Sequence, residues 1–387
     1  MAFTALFKGL RVVDFTQVLS GPFATMLLAD AGADVVKIEK PQTGDPTRQW
    51  GPPFDGASLY FAAFNRGKRS VSWDLHNPKD RDRMKTLLGS ADVLVENFRP
   101  GRMAQWGLDA DTLLAAHPRL IYCSVKGYRE DGHNANRPAV EVLLEAESGL
   151  MGITGSESGN DPVRLGVAAI DMMTGAFAVA QIASMLYRRE KTGKGGAITV
   201  SLEETADLMM THPWLLYLKA GAIYPRSGSA HASIAPYEAF HTQDRPIILG
   251  AIDDTAFERL ADTLGVPDWV DREEWRTNED RVLHRSALKA AIEAKLSLHP
   301  AAYWQALFVS RGLPVALVNS VDQAAEAWRN SPIPKLSAYH RLLGQLTWPT
   351  SPWLSDGGAV LPPPELGEHT QQFPAMWQPT IEGSNNR

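Results

Sequence analysis

The sequence predicts an α/β fold, a Rossmann-like arrangement with a mostly parallel sheet, followed by a smaller α+β domain. Three observations predict it. Between Leu10 and Leu202, short and nearly all-apolar strand-like runs alternate with helix-like stretches, as in βαβ units covered by helices on both faces. At 387 residues and 42.4 kDa, the chain exceeds what a single hydrophobic core usually supports, so two domains are expected. From Tyr224 to Phe240 the chain turns rich in Ser, Gly, Pro and Ala, which marks a change of module.

The elements follow in order. "LRVVDFT" from Leu10 is a strand, "SGP" turns it, "FATMLLADAG" is a helix ending at Gly32, and "ADVVKIEK" is the next strand. "KRSVSWDL", a helix over "NPKDRDRMKTLLGSA", then "DVLVENF" and "PRLIYCSVKGY" continue the alternation. After Asp171, Met172, Ala176, Val179, Ala183 and Leu186 define one helical face, and the apolar residues between them predict a helix buried nearly all round. Arg188, Arg189 and Lys191 suit its negative C-terminal end, and Gly193 stops it. "AITVSL" is a strand and "EETADLMMTHPWLLYLKAG" one further helix. "PIILGAID", several amphipathic helices and "LPVALVNSV" make the α+β module, and the proline-punctuated "VLPPPELGEHT" reads as an extended strap. The division expected is 1–205 for the large domain, 206–225 for a linker, 226–327 for the small domain, and 328–387 for a linker and a strap returning to the large domain.

Composition excludes several classes. A net charge of −6 and a pI of 6.0 argue against nucleic-acid partners, whose binding depends on clustered cations. The start "MAFTALFKGLRVVDF" lacks a signal-peptide core, and no continuous apolar run reaches the length of a membrane span, so no membrane partner and a cytoplasmic setting are expected. Cys123 stands alone inside a strand and reads as a core residue, and the 10 His are scattered, so no metal is expected. No GxGxxG follows the first strand, and "VLSGPF" has a single glycine, so NAD is not expected either. In such sheets ligands sit at the carboxyl ends of the strands, here the loops "TQVLSGP", "EKPQTGD" and "ENFRPGR".

Asp171 poses the central question, since it lies between an apolar approach and an apolar helix. Two readings compete: a helix cap held by backbone N–H groups, which would lower its pKa, or a carboxylate held ready to react. The two are compatible.

Several stretches, in this order, resemble the class III CoA transferases, the CaiB/BaiF family. They are "LRVVDFTQVLSGPFATMLLADAGADVVKIEKPQTGDPTR", "FNRGKRSVSWDL", "ADVLVENFRPG", "GVAAIDMMTGAFAVAQIASMLYRREKTGKG", "SIAPYEAF", "GLPVALVNSV" and "PPPELGEHT". The resemblance spans nearly the whole chain. It implies a homodimer of two interlocked rings, coenzyme A as an acyl-CoA co-substrate, and a small carboxylic or dicarboxylic acid as acceptor. It also implies that Asp171, which precedes the Thr-Gly of the helix, is the nucleophile, acylated to a mixed anhydride and then converted to an aspartyl-CoA thioester.

Family positions that contact CoA map onto Leu19, Ser20, Lys40, Trp73, Asp74, Leu75, His76, Asn97, Phe98, Arg99, Arg102, Gln105, Ala139, Val140 and Glu141. Leu19 stands where a glutamine is frequent, and Gln105 where an arginine meets phosphate, which leaves Arg99 or Arg102 for that role. "GYREDGH" departs from the family's glycine- and proline-containing turn. Arg226, His231 and Tyr237 are candidate partners for the acid. The alternative is a 2-methylacyl-CoA racemase, which needs a base opposite Asp171, but Val140 occupies the place of its imidazole.

Overall fold

A computed structural model describes residues 6–373 and 375–377. Its first unit, comprising residues 1–148, 165–210 and 334–387, carries a six-stranded sheet. The elements run β1 (Arg11–Asp14), α1 (Ser20–Asp30), β2 (Asp34–Glu39), a small hairpin of β3 (Pro53–Phe54) and β4 (Ala57–Ser58), α2 (Leu59–Phe64), β5 (Lys68–Ser72) and α3 (Pro78–Leu88). Next come β6 (Val93–Glu96), α4 (Ala110–Ala116), β7 (Ile121–Lys126), α5 (Glu141–Glu147), α7 (Ala169–Thr192), β8 (Gly196–Ser201) and α8 (Leu202–Met209), with α6 (Leu150–Ile153) belonging to the second unit.

The strand order is β5-β2-β1-β6-β7-β8 and every pairing is parallel. The sheet reverses direction of growth between β1 and β6, so the loops leaving these two strands face one crevice. The central strands β1, β2 and β6 carry runs of Val, Ile and Leu because both faces are covered. Val12, Val13, Val36, Leu94 and Ile121 are fully buried.

Helix α7 corrects two expectations. Its buried stripe is Ile170, Thr174, Gly175, Ala178, Val179 and Ile182, whereas Ala176 is exposed and Tyr187 is 69% exposed. Among the described residues only one side of it is covered. The buried side carries small residues because α1 passes against it: a Cβ on Gly175 would lie 2.5 Å from the Ser20 carbonyl oxygen. Close backbone approach selects glycine and alanine there rather than the bulkiest apolar residues. By length and composition, this helix also meets the measure of a membrane span, which interleaved Gly, Ser, Thr and Gln residues hide in a search for a continuous apolar run. Gly193, at φ 73°, closes the helix.

The single helix expected over 203–221 is two, α8 and α9 (Thr211–Ala220). Pro213 has no N–H to continue the first helix and sits in the first turn of the second, where none is needed.

The second unit covers residues 149–164 and 211–333. It holds a three-stranded antiparallel sheet, β11-β10-β9, from β9 (Tyr237–His241), β10 (Pro246–Gly250) and β11 (Val315–Leu317). Helices α10 (Asp254–Thr263), α11 (Asn278–Leu283), α12 (Arg285–Leu296), α13 (Ala301–Ser310) and α14 (Val321–Asn330) accompany it, and its core gathers Phe240, Phe257, Trp269, Trp304 and Phe308.

The tail returns to the first unit with more structure than a strap. It forms β12 (Lys335–His340), β13 (Gly344–Pro349) and β14 (Gly358–Ala359) as a small sheet over Leu336, Ala338 and Trp348. Past it, the His369 N–H donates to the Ser70 carbonyl (2.9 Å) and the Ser72 N–H to Thr370 Oγ1 (2.9 Å), so the tail covers the outer edge of β5.

Candidate active site

The site begins beneath the first βα turn. Asp14 ends β1 fully buried and accepts hydrogen bonds from the Thr16 N–H (2.8 Å), Thr16 Oγ1 (2.5 Å) and Thr25 Oγ1 (2.7 Å), with Lys68 Nζ at 3.1 Å. Lys37 Nζ donates to the Thr16 carbonyl at 2.6 Å and pairs with Asp45 at 3.0 Å. Burial alone would raise the Asp14 pKa, but the Lys68 and Lys37 ammoniums overcome it and hold the carboxyl at about 2. For Lys68, burial dominates over the pull of Asp14 and brings the ammonium down to about 8.

This charged floor fixes the loop above it. Lys68 Nζ also reaches the Pro22 carbonyl (2.9 Å), and Asn97, in the loop after β6, accepts the Gln17 N–H (2.9 Å) and donates back to its carbonyl (2.8 Å). Val18 is held at φ 70°, a left-handed conformation a β-branched side chain rarely adopts.

The loop ends at Ser20, whose hydroxyl donates to Asp171 Oδ1. Asp171 lies in the first turn of α7 and does not cap it. That task falls to Glu141, at the start of α5, which accepts the Ile170 N–H at 2.8 Å. The expected fall in the Asp171 pKa is therefore reversed: burial raises it, and the Ser20 hydroxyl draws it part of the way back. Burial first, then the charges of Asp171 and Glu145, push Glu141 up to about 7. Glu145 is buried with Oε2 accepting the Leu165 N–H and Oε1 without a hydrogen-bond partner among the described residues.

From the other end of the loop, Phe15 and Gln17 line a cavity of about 170 Å³ at the carboxyl ends of β1, β2 and β5. Lys40, Trp73, Asp74, Leu75, His76, Phe98 and Arg102 line it too, so seven of the fifteen positions mapped for coenzyme A meet in one cavity. Arg102 lies 4.6 Å over the Trp106 ring and donates to Gln105 Oε1 at 2.8 Å, whereas Arg99 does not line the cavity. The Trp106 indole N–H is buried beside this space with no hydrogen-bond partner among the described residues.

The remaining mapped positions go elsewhere. Leu19 is buried at the N-cap of α1, Ser20 meets Asp171, and Asn97 braces the first loop. Ala139 packs on Gly127, where a Cβ would lie 2.0 Å from its own. Val140 is 59% exposed and offers no titratable group. In the second unit, Arg226 spends its guanidinium on the carbonyls of Met151, Gly152, Gly159 and Asp161, and His231 stacks on Tyr237.

Sequence reasoning missed Phe15, Gln17, Ile38, Glu39 and Trp106 as lining residues. The rule that ligands sit beyond strand ends covers the first four, since they end β1 and β2 or follow them directly. Trp106 carries no such signal. Among the described residues no cluster of His, Cys, Asp and Glu has metal-binding geometry, and Cys123 is buried with its thiol pushed up to about 12.

Comparison with known proteins bears directly on this arrangement. The model of CoA-transferase family III matches residues 7–370. Succinyl-CoA:glutarate CoA-transferase of Mus musculus is 37% identical over 380 residues, covering 95% of this chain and 85% of that protein. Acetyl-CoA:oxalate CoA-transferase of Acetobacter aceti is 38% identical over 349 residues, covering 89% and 88%. The crystal structure of a CAIB/BAIF family protein from Brucella suis superposes with a TM-score of 0.84 at 32% identity, over 97% of this chain and 100% of that one.

Proposed function

Because this chain belongs to CoA-transferase family III and is an enzyme of that family, we propose that it moves coenzyme A from an acyl-CoA thioester to a small dicarboxylic acid through Asp171. The observation that carries the reading is the position of Asp171 at the head of α7, partly buried and held by one neutral hydroxyl. A carboxylate so placed keeps a free oxygen for attack while burial raises its basicity.

In this reading Asp171 attacks the thioester carbonyl, giving an aspartyl-acyl anhydride and CoA thiolate. The thiolate attacks the aspartyl carbonyl, releases the donor acid and leaves an aspartyl-CoA thioester. An acceptor carboxylate then reverses both steps. Exclusion of water keeps the anhydride from hydrolysis.

The cavity at the strand ends suits part of the coenzyme. Trp73, Phe98 and Trp106 offer apolar and aromatic surface, Lys40 and Arg102 offer cations for phosphate, and the Trp106 N–H offers a donor. Gln105 orients Arg102, which favours Arg102 over Arg99 as the phosphate partner. The relatives act on succinyl-CoA with glutarate and acetyl-CoA with oxalate by their names, which supports dicarboxylates as acceptors. A homodimer of interlocked chains and a cytoplasmic setting belong to the same proposal; the exposed apolar side chains Tyr187 on α7 and Leu215 and Leu218 on α9 support a covering partner copy.

A mass-spectrometric screen of acyl-CoA donors against acceptor acids tests the reading. Wild-type protein should transfer CoA to at least one dicarboxylate and carry a CoA adduct on the Asp171 peptide. Unchanged transfer by Asp171→Ala would overturn it.

A further inference from the structure

Ser20 was expected to touch coenzyme A, yet its hydroxyl points at the carboxylate. It is 4% exposed and donates to Asp171 Oδ1, and a hydroxyl facing an ionised carboxylate can only donate. The plain alternative is a serine serving its own helix. That role is not filled: Leu19 is the N-cap of α1, and the start of this helix has no side-chain cap, while Ser20 reaches across to α7 instead.

The surroundings fix Ser20 from three sides. The loop that delivers it is gripped by Lys37 at the Thr16 carbonyl, by Asn97 at Gln17 and by Lys68 at the Pro22 carbonyl, and it passes through the left-handed Val18. Gly21 clears Thr16, since a Cβ there would lie 2.3 Å from the threonine side chain. Gly175, one turn past Asp171, lets α7 close onto the Ser20 backbone. Backbone held in this way is the mark of a preorganised group.

We propose that Ser20 is a second catalytic group: its hydroxyl reserves Asp171 Oδ1, leaving Oδ2 to attack, and then stabilises the charge that gathers on Oδ1 whenever the aspartyl carbonyl is itself attacked. This rests on the aspartyl route above. Oδ2 adds to the acyl carbonyl carbon, the C–S bond breaks, and the electron pair leaves with CoA thiolate. The thiolate adds to Asp171 Cγ, and the carbonyl pair moves onto Oδ1, toward the Ser20 O–H. Collapse returns that pair, breaks Cγ–Oδ2 and expels the donor acid as a carboxylate carrying Oδ2. When an acceptor carboxylate adds to the thioester at Cγ, the charge forms on Oδ1 again and CoA thiolate departs. Ser20 keeps its proton throughout. A neutral donor fits both roles, because a cation at this position would depress the basicity of the nucleophile far more.

Ser20→Ala and Ser20→Cys separate these roles from mere coenzyme contact. Ser20→Ala should lower kcat by about 10²–10³-fold, as loss of an oxyanion donor does, and slow formation of the aspartyl-CoA adduct in a single turnover to match. The acid limb of kcat/KM should move to higher pH, since the donor that lowers the Asp171 pKa is gone. Calorimetric affinity for free CoA should stay within about twofold of wild type, and Ser20→Cys, a weak donor of similar shape, should fall between the two and carries the test if Ser20→Ala does not fold. A kcat within about threefold of wild type with an unmoved acid limb, or a loss confined to CoA affinity, overturns the role of Ser20. Absence of any adduct on wild-type Asp171 would instead overturn the aspartyl route itself.

Discussion

Asp14 and Asp171 stand on opposite sides of one short loop, and the same side chain meets opposite electrostatics there. Asp14 is fully buried among Lys68, Lys37, Thr16 and Thr25, and its pKa lies at about 2. Asp171 has the Ser20 hydroxyl, forms no ion pair among the described residues, and is raised by burial. The first carboxylate spends its charge on holding the loop in place. The second, the proposed nucleophile, has no such cation to satisfy among the described residues. Burial by itself therefore does not fix the state of a carboxylate: neighbouring cations lower the pKa of Asp14, and burial without one raises those of Asp171 and Glu141.

The contrast can be broken from either side. The largest effect is expected at Asp171, the proposed nucleophile, where Asp171→Asn keeps the shape and removes the attacking oxygen. CoA transfer should fall on the order of 10⁴-fold or more while the melting temperature stays at or above that of wild type, as read by coupled assay and calorimetry. Next, Lys37→Met strands Asp45 as a buried acid and takes from Asp14 one of its two nearby cations, leaving it Lys68. It should cost about 3–5 kcal/mol in urea unfolding, the range for removing one partner of a buried pair. A loss below about 1 kcal/mol would mean that the floor is not what holds the loop.

Gly175→Ala probes the closeness of the two halves. Its Cβ would meet the Ser20 carbonyl oxygen at 2.5 Å, so about 1–3 kcal/mol of overpacking is expected, with a drop in kcat as the hydroxyl is displaced from Asp171. The smallest effect is a slope. Glu141 titrates near 4.5 when unfolded and at about 7 in the folded chain, so the native state holds a proton that the unfolded state has lost, and stability falls as pH rises through that window. In Glu141→Gln this contribution vanishes, and its stability relative to wild type should be higher at about pH 8 than at about pH 5. Thermal denaturation at the two pH values checks the sign.

Most of the first unit was legible in the sequence because a strand buried on both faces carries an apolar run, and "RVVD", "DVVKIE", "VLVE" and "IYCSVK" each carry one, with the buried charges Asp14, Lys37, Glu39, Glu96 and Lys126 toward their carboxyl ends. The βαβ alternation and the family resemblance located Asp171, and the mapped positions gave seven residues of one cavity. The buried face of α7 was misjudged because apolarity does not reveal where another helix passes closest, and Gly175 and Ala178 owe their burial to that approach. The small tail sheet was read as a strap, since Pro349 and the run Pro362–Pro364 punctuate the segment, yet β12 and β13 pair as a local hairpin that β14 joins in parallel.

The sequence by itself determined the class of fold, the presence of a carboxylate ahead of a Thr-Gly helix, and the cations and aromatics that follow the strands, because each is written in local pattern and residue type. Tertiary structure alone decided which acids are neutralised and which are not. That outcome depends on distances of a few ångströms between residues as far apart in the chain as Ser20 and Asp171, or Glu141 and Ile170, and in low dielectric such distances set both pKa and reactivity.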